Sequence, residues 1–170
     1  MQDIPVVTGW RCSVCGTKVS ISEVFSWRCP NSTSSNRHHV LELENAIAPL
    51  RSSGDTNPYI AFQRYLAWDA FAATLGLDFV ARTKIIRDLD EAVAKIAGVG
   101  FRTTPFARND ALSDALGFNN RGGVWIKDET HNVAGSQKAR HLFTELLHLI
   151  TVELVGHAPW ESPTQRPALA

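Results

Sequence analysis

A chain of 170 residues, 44% hydrophobic and 20% charged, suits one ordinary domain or one domain with a small appended module, and should bury roughly 70% of its unfolded surface. Lys+Arg and Asp+Glu each number 17, which leaves no electrostatic case for a nucleic acid or an anionic membrane as partner. No apolar stretch is long enough to span a bilayer, and the start Met1-Gln2-Asp3-Ile4-Pro5 lacks the basic region and apolar run of a targeting signal, so a cytoplasmic location is expected.

Residues 1–45 read as a zinc-ribbon-like β module. Cys12, Cys15 and Gly16 form a knuckle: two thiolates three apart can grip one ion, and the glycine lets the backbone curl around it. Three cysteines, two of them in a Cys-x-x-Cys, fit a metal site in a reduced compartment better than a disulfide framework. Val19 and Ile21 mark a short strand, and Trp27-Arg28-Cys29-Pro30 marks the return. Cys29 supplies a third thiolate, but Pro30-Asn31-Ser32 follows it, so a fourth cysteine is missing. His38 or His39 could complete a Cys3His site. The alternative is a ribbon without metal that folds by burying Trp10, Phe25 and Trp27.

The apolar-polar alternation of Val40 to Glu44 ends the module, and Ser, Gly, Asn and Pro make 46–57 a linker. A helical segment over 58–100 follows. Its first helix runs from about Tyr59 to Leu75, with Gly76 closing it. The second starts at Asp78 as N-cap, places Ile86, Leu89, Val93 and Ile96 on one stripe, and ends at Gly98. Both read as packing elements.

From residue 101 the pattern changes. Thr104-Pro105 is an extended entry, because the residue before proline is pushed out of the helical region. Asn109 or Asp110 caps a short helix with Leu112 and Leu116 inward and Gly117 as its stop. Residues 119–123 form a turn, and 124–127 a strand. A helix starting at Ser136 continues to about Val155, with Leu142, Leu146, Leu149 and Ile150 inward. Its His141, Glu145 and His148 share a face that could bind a metal, although a solvated polar face is the favoured reading. Arg166 to Ala170 has the look of a further strand beginning, which suggests an incomplete domain. Lys138 falls in the first turn of the last helix. An amine held at a joint between a strand-loop and a helix is what a Schiff base to a carbonyl cofactor requires.

Residues 101–140 resemble the start of the catalytic domain of fold-type II pyridoxal-phosphate enzymes, the tryptophan synthase β-like group. The resemblance rests on Thr104-Pro105-Phe106, on Arg108 to Ser113, on Lys127-Asp128-Glu129 and on Asn132-Val133-Ala134-Gly135-Ser136-Gln137-Lys138-Ala139-Arg140. The Cys-x-x-Cys-Gly knuckle and the Trp-x-Cys-Pro return narrow it toward threonine synthase-like proteins, where such a ribbon precedes the catalytic domain. Phe106 in place of leucine, Val133-Ala134 in place of Pro-Thr, and the missing cysteine depart from the family pattern.

The resemblance implies an α/β fold, with 101–170 the start of the catalytic domain. Lys138 would be the lysine that carries pyridoxal 5'-phosphate and moves the substrate's Cα proton, with Gln137 beside the cofactor. Lys127, Glu129, Asn132 and Arg140 match the motif but read as structural, holding strand and helix together. The implied reaction is that of a lyase or synthase acting on a small amino-acid substrate, with O-phosphohomoserine to threonine leading and an amino-acid dehydratase or ammonia-lyase as alternative. The family's asparagine loop, glycine-rich phosphate cradle and pyridine-nitrogen partner are not found after Lys138. The chain alone is therefore expected to be inactive, either as a truncated non-catalytic product or as one half that pairs with a separately encoded C-terminal half. A homodimer is the other assembly considered.

Overall fold

The computed structural model describes residues 5–118 and 122–168. Strand β1 (Val7–Cys12) lies in the middle of a three-stranded sheet, pairing antiparallel with β2 (Lys18–Ser20) on one side and β3 (Leu41–Asn45) on the other. The apolar-polar alternation noted at 40–44 lies largely within β3. The return expected at Trp27–Pro30 forms no strand: that segment is irregular, with a bend at Arg28 and a turn beginning at Pro30, and β3 occupies the place beside β1. Pro30 has no N–H to give a ladder, and Cys29 is held in a turn closed by Ser32 N–H to its carbonyl at 2.9 Å.

The single helix expected from Tyr59 to Leu75 is broken into α1 (Pro58–Ala61), a 3-10 turn at Gln63–Tyr65 and α2 (Ala67–Thr74). Tertiary hydrogen bonds take over the junction. The Arg64 carbonyl accepts from Val6 N–H at 2.8 Å, tying the ribbon to the helices. The buried Gln63 side chain bonds both Asp69 and Thr83, and Leu66 is extended (ψ 133°). Helix α3 (Phe79–Ala97) matches expectation: Asp78 accepts from Ala81 N–H at 2.7 Å, and Gly98 ends it with φ 75°. Of its stripe, Ile86 is fully buried, Leu89 and Val93 pack at the margin, and Ile96 is 91% exposed. The helix outruns the core by its last turn.

Beyond α3, Phe101 N–H donates to Asp90 Oδ1 at 2.6 Å, an approach so close that a Cβ on Gly100 would stand 2.8 Å from both Asp90 oxygens. Strand β4 (Phe106–Arg108), not foreseen, pairs antiparallel with β5 (Trp125–Lys127). Between them lies α4 (Asp110–Ala115), capped by Asn109, whose Oδ1 accepts from Leu112 N–H at 2.9 Å. Leu112 and Leu116 are 43% and 61% exposed rather than inward. The buried residue is Ser113, which donates to Asn109 O at 2.6 Å and accepts from Val124 N–H at 2.9 Å. Helix α4 thus docks through one hydroxyl, which an apolar count does not register. Of the expected turn at 119–123, residues 119–121 lie outside the described residues.

Helix α5 (Lys138–Leu154) runs back across the core. Its buried face is Phe143, Leu147, Leu149, Thr151 and Val152, whereas Leu142, Leu146 and Ile150 are only half-buried. Two contacts fix that rotation. The rings of Tyr59, Phe101 and Phe143 meet at centroid separations of 4.6–5.2 Å, and Trp68 Nε1 donates to Thr151 Oγ1 at 2.9 Å. The apolar core they join includes Trp68, Ile86, Val133 and Leu147. After α5, Pro163–Gln165 makes a single 3-10 turn, and 166–168 carry no strand; residues 169–170, where one was expected to continue, lie outside the described residues. Among the described residues no helix is long and apolar enough to cross a membrane.

Candidate metal centre and the lysine of α5

Strand β1 delivers Cys12 to its last position, and the chain then turns sharply: Gly16 N–H donates to Cys12 O at 2.9 Å with Gly16 at φ 73°, and Cys12 N–H to Thr17 O at 2.8 Å. This places the Cys15 sulfur back beside the strand end. The turn at 29–32 brings Cys29 to the same point, 3.6 Å from Cys15 Sγ. His39, just before β3, places Nδ1 3.5 Å from Cys12 Sγ. One ligand atom from each of the four lies within 4.8 Å of every other.

A tetrahedral zinc with bonds of about 2.3 Å to sulfur and 2.0 Å to nitrogen requires its ligand atoms roughly 3.5–3.8 Å apart. The Cys15–Cys29 and Cys12–His39 separations meet that requirement and the other pairs lie within 4.8 Å, so the chemistry and spacing of Cys12, Cys15, Cys29 and His39 fit a metal ion such as zinc. Of the two histidines considered, His39 joins the cluster and His38 points to solvent. The Asn36 amide nitrogen lies 3.2 Å from His39 Nε2; with Nδ1 on a metal, Nε2 carries the proton, so Asn36 would orient the imidazole only with its amide turned to present Oδ1 as acceptor. With four protein ligands the site has no open position, the pattern of a structural centre rather than a catalytic one.

The three thiols sit in unlike surroundings. The Thr17 hydroxyl and N–H, followed by the Asn31 amide, draw Cys15 down to about 5. Burial opposes ionisation of Cys12, but the N–H groups of Cys15 and Val14 overcome it and lower its pKa. Burial pushes Cys29 up. The neighbouring Cys12 sulfur raises His39. Asn31 and Asn36 were not singled out in the sequence; their place in the polar loop between Cys29 and His39 is the one signal that could have flagged them.

Lys138 is the first residue of α5 and is exposed, as is Gln137. Gln137, not Ser136, occupies the N-cap position; the Ser136 hydroxyl instead accepts from Lys138 N–H at 3.1 Å. The motif residues on either side form one connected clamp. Glu129 accepts from Thr104 Oγ1 at 2.5 Å and from Arg140 Nε at 3.0 Å; Arg140 also reaches Arg102 O at 3.0 Å, and Lys127 Nζ donates to Thr104 O at 2.5 Å. The Thr104 hydroxyl, with Arg140 assisting, holds Glu129 below its ordinary pKa against the cost of burial. Asn132, buried to 4% exposure, donates to Ser136 O at 2.8 Å, closing the loop ahead of Lys138. In that loop Ala134 adopts φ 54°, the left-handed region, followed by Gly135 at φ 58°.

His141, Glu145 and His148 do not converge. His141 Nε2 meets Glu145 Oε1 at 2.8 Å, while His148 turns inward, its Nε2 donating to Val24 O at 2.6 Å and its ring 4.4 Å from that of Phe71. Two of the three are therefore a surface pair, and the third is a packing residue against the ribbon. Burial lowers the His148 pKa. Among the described residues no other group of three potential ligands comes together.

Fold and site together define a small mixed α/β protein carrying a Cys3His cluster able to hold a metal ion such as zinc. Comparison with family models, with curated proteins and with solved structures finds no match to the chain.

Proposed function

We propose that this chain is a zinc-ribbon-headed N-terminal portion of a threonine synthase-like, pyridoxal-phosphate-dependent enzyme, with Lys138 as the lysine that carries the cofactor. The observation that carries the reading is the clamp. Thr104, Lys127, Glu129 and Arg140, spread over 37 positions of the motif, are joined by hydrogen bonds that bring the entry, the strand end and the helix start to one place. A catalytic lysine needs a backbone fixed in this way.

The residues present fit the cofactor only in part. They supply the amine, but the glycine pair Gly122-Gly123 is not at a helix start, and a Cβ on Gly123 would stand 2.5 Å from Arg108 Nε and 2.9 Å from Ser113 Oγ. The pair backs onto protein, so it offers no cradle for a phosphate. Lys138 is exposed and lines none of the three apolar clefts near the ribbon and the C-terminal helix. The chain by itself is therefore proposed to be catalytically silent, and the role of the Cys3His centre is to fold the ribbon.

Titration of the purified chain with pyridoxal phosphate tests this. Weak formation of the lysine-bound absorbance band, lost in Lys138→Ala, is expected. A tight yellow complex would overturn the proposed lack of a cradle, and a band unchanged in Lys138→Ala would remove Lys138 from the role. The enzyme reading also expects the DNA after the Ala170 codon to encode a Ser-x-Gly-Asn loop and a glycine-rich turn; their absence would favour a non-catalytic product.

A further inference from the structure

The hairpin of β4 and β5 has little cover from the rest of the chain. Every residue of β5 is exposed, Trp125 to 54% and Ile126 to 42%, and among the described residues no third strand flanks the pair. Phe106, 63% exposed, stacks on the Trp125 ring with centroids 5.5 Å apart. Ala107 and Ile126 pair on the opposite face, both exposed. A two-stranded ribbon is marginal in water, and further strands stabilise it.

The register fixes which backbone groups the ribbon leaves open. Asn109 N–H donates to Val124 O at 2.9 Å and Asp128 N–H to Pro105 O at 3.0 Å, with Ile126 opposite Ala107 between them. Antiparallel ladders alternate, so residues 124, 126 and 128 turn their backbone groups toward β4, and Trp125 and Lys127 turn theirs to the outer edge. Among the described residues those outward N–H and C=O groups have no hydrogen-bond partner. The neighbouring side chains do not shield them. Trp125 leans on Phe106 and Lys127 Nζ donates to Thr104 O at 2.5 Å, both toward β4. The edge thus lacks the outward charge or proline that blocks strand addition.

We propose that this edge is a dimerisation site for a second copy of the chain, β5 pairing antiparallel with β5 about a twofold axis at Ile126. In that register Trp125 of one copy lies opposite Lys127 of the other, and the two such pairs use all the outward groups in four hydrogen bonds. Each Ile126 meets its counterpart, so Ala107 and Ile126 of both copies form one apolar row across four strands. No like charges are opposed. The edge of β3 lacks this self-complementarity, because pairing with itself about Leu43 sets Glu42 against Glu44. The edge of β4 is blunted by Pro105 before it and by Arg108 on it. The seam is short, which makes the dimer a weak one with a dissociation constant on the order of 100 µM. It does not depend on the reading of Lys138.

The test uses the full chain in zinc-containing buffer, by sedimentation equilibrium from about 10 µM to about 1 mM and by amide hydrogen exchange at both ends of that range. A monomer–dimer equilibrium is expected, with the amides of Trp125 and Lys127 gaining protection at high concentration and that of Ile126 protected throughout. Ile126→Lys and Ile126→Glu each oppose two like charges at the axis and should weaken self-association at least about tenfold, whereas their equimolar mixture should associate again. That recovery separates a contact at the axis from a damaged hairpin. A monomer at every concentration would overturn the proposal and leave the edge to a strand of another protein. So would concentration-dependent protection confined to β3, single variants that dimerise as the native chain does, or a mixture that stays monomeric.

Discussion

The Cys15 sulfur, drawn toward the thiolate by Thr17 and Asn31, sits opposite a Cys29 that burial keeps protonated, and a divalent ion binding both resolves that difference by holding each as thiolate. Elemental analysis should find one zinc per chain in the native protein. Cys12→Ser and His39→Ala should each lower retention against a chelator by at least about tenfold, whereas His38→Ala should leave it unchanged. His148 offers a second residue-scale test. Its folded pKa lies below the ordinary 6.5, so the unfolded chain binds more protons as the solution is acidified. The stability it contributes is complete above about pH 6.5 and falls as pH drops from there toward its folded value. Urea midpoints should therefore decline over that window in the native chain and decline less in His148→Phe, which keeps a ring against Phe71.

At the scale of elements, the buried face of α5 decides what a core substitution costs. Phe143→Ala should destabilise by about 3–5 kcal/mol, and Leu142→Ala, one position around the helix and half-buried, by clearly less; denaturant unfolding ranks the two. The clamp gives a pH-resolved counterpart. Glu129 is held below 4.5, so its contribution is present above that pH and is lost as pH falls through the lower folded value. The stability gap between the native chain and Arg140→Ala should be constant above about pH 4.5 and shrink below it. Helix α3 was legible from sequence because its signals are local: Asp78 before the first turn, Gly98 after the last. The break between α1 and α2 was not, because Gln63 and Arg64 spend their polar groups on Asp69, Thr83 and Val6, partners that sequence spacing does not reveal. The rotation of α5 escaped for a related reason, since Thr151 is polar by type yet buried by its bond to Trp68. At the metal cluster, the three cysteines were readable from type and spacing. The choice of His39 over its neighbour depended on β3 taking the place of the expected return strand.

At the scale of the whole molecule, the links that the described residues make between the ribbon and the helical core include Val6 to Arg64, His148 to Val24, and ring contacts of Phe25 and Trp27 with His148. A structural zinc contributes on the order of 10 kcal/mol to a module of this size, whereas the core of Tyr59, Phe101 and Phe143 contains no metal ligand. Chelation should therefore abolish the ordered environment of Trp27, seen in its indole resonance, and leave the helical signal at 222 nm largely in place. Simultaneous loss of both would show that the ribbon is needed to hold the helices together.

The sequence span of that core has a consequence for how the protein is made. The four residues of the Cys3His cluster have all been synthesised by residue 39, whereas the apolar cluster begun by Tyr59 is completed only with Leu147. At about 5–20 residues per second, roughly ten seconds of translation separate the two events. The ribbon could gather its Cys3His cluster around a metal ion while the chain is still growing, but Trp68 and Ile86 must wait for α5, with their apolar surfaces open to chaperones until it leaves the ribosome.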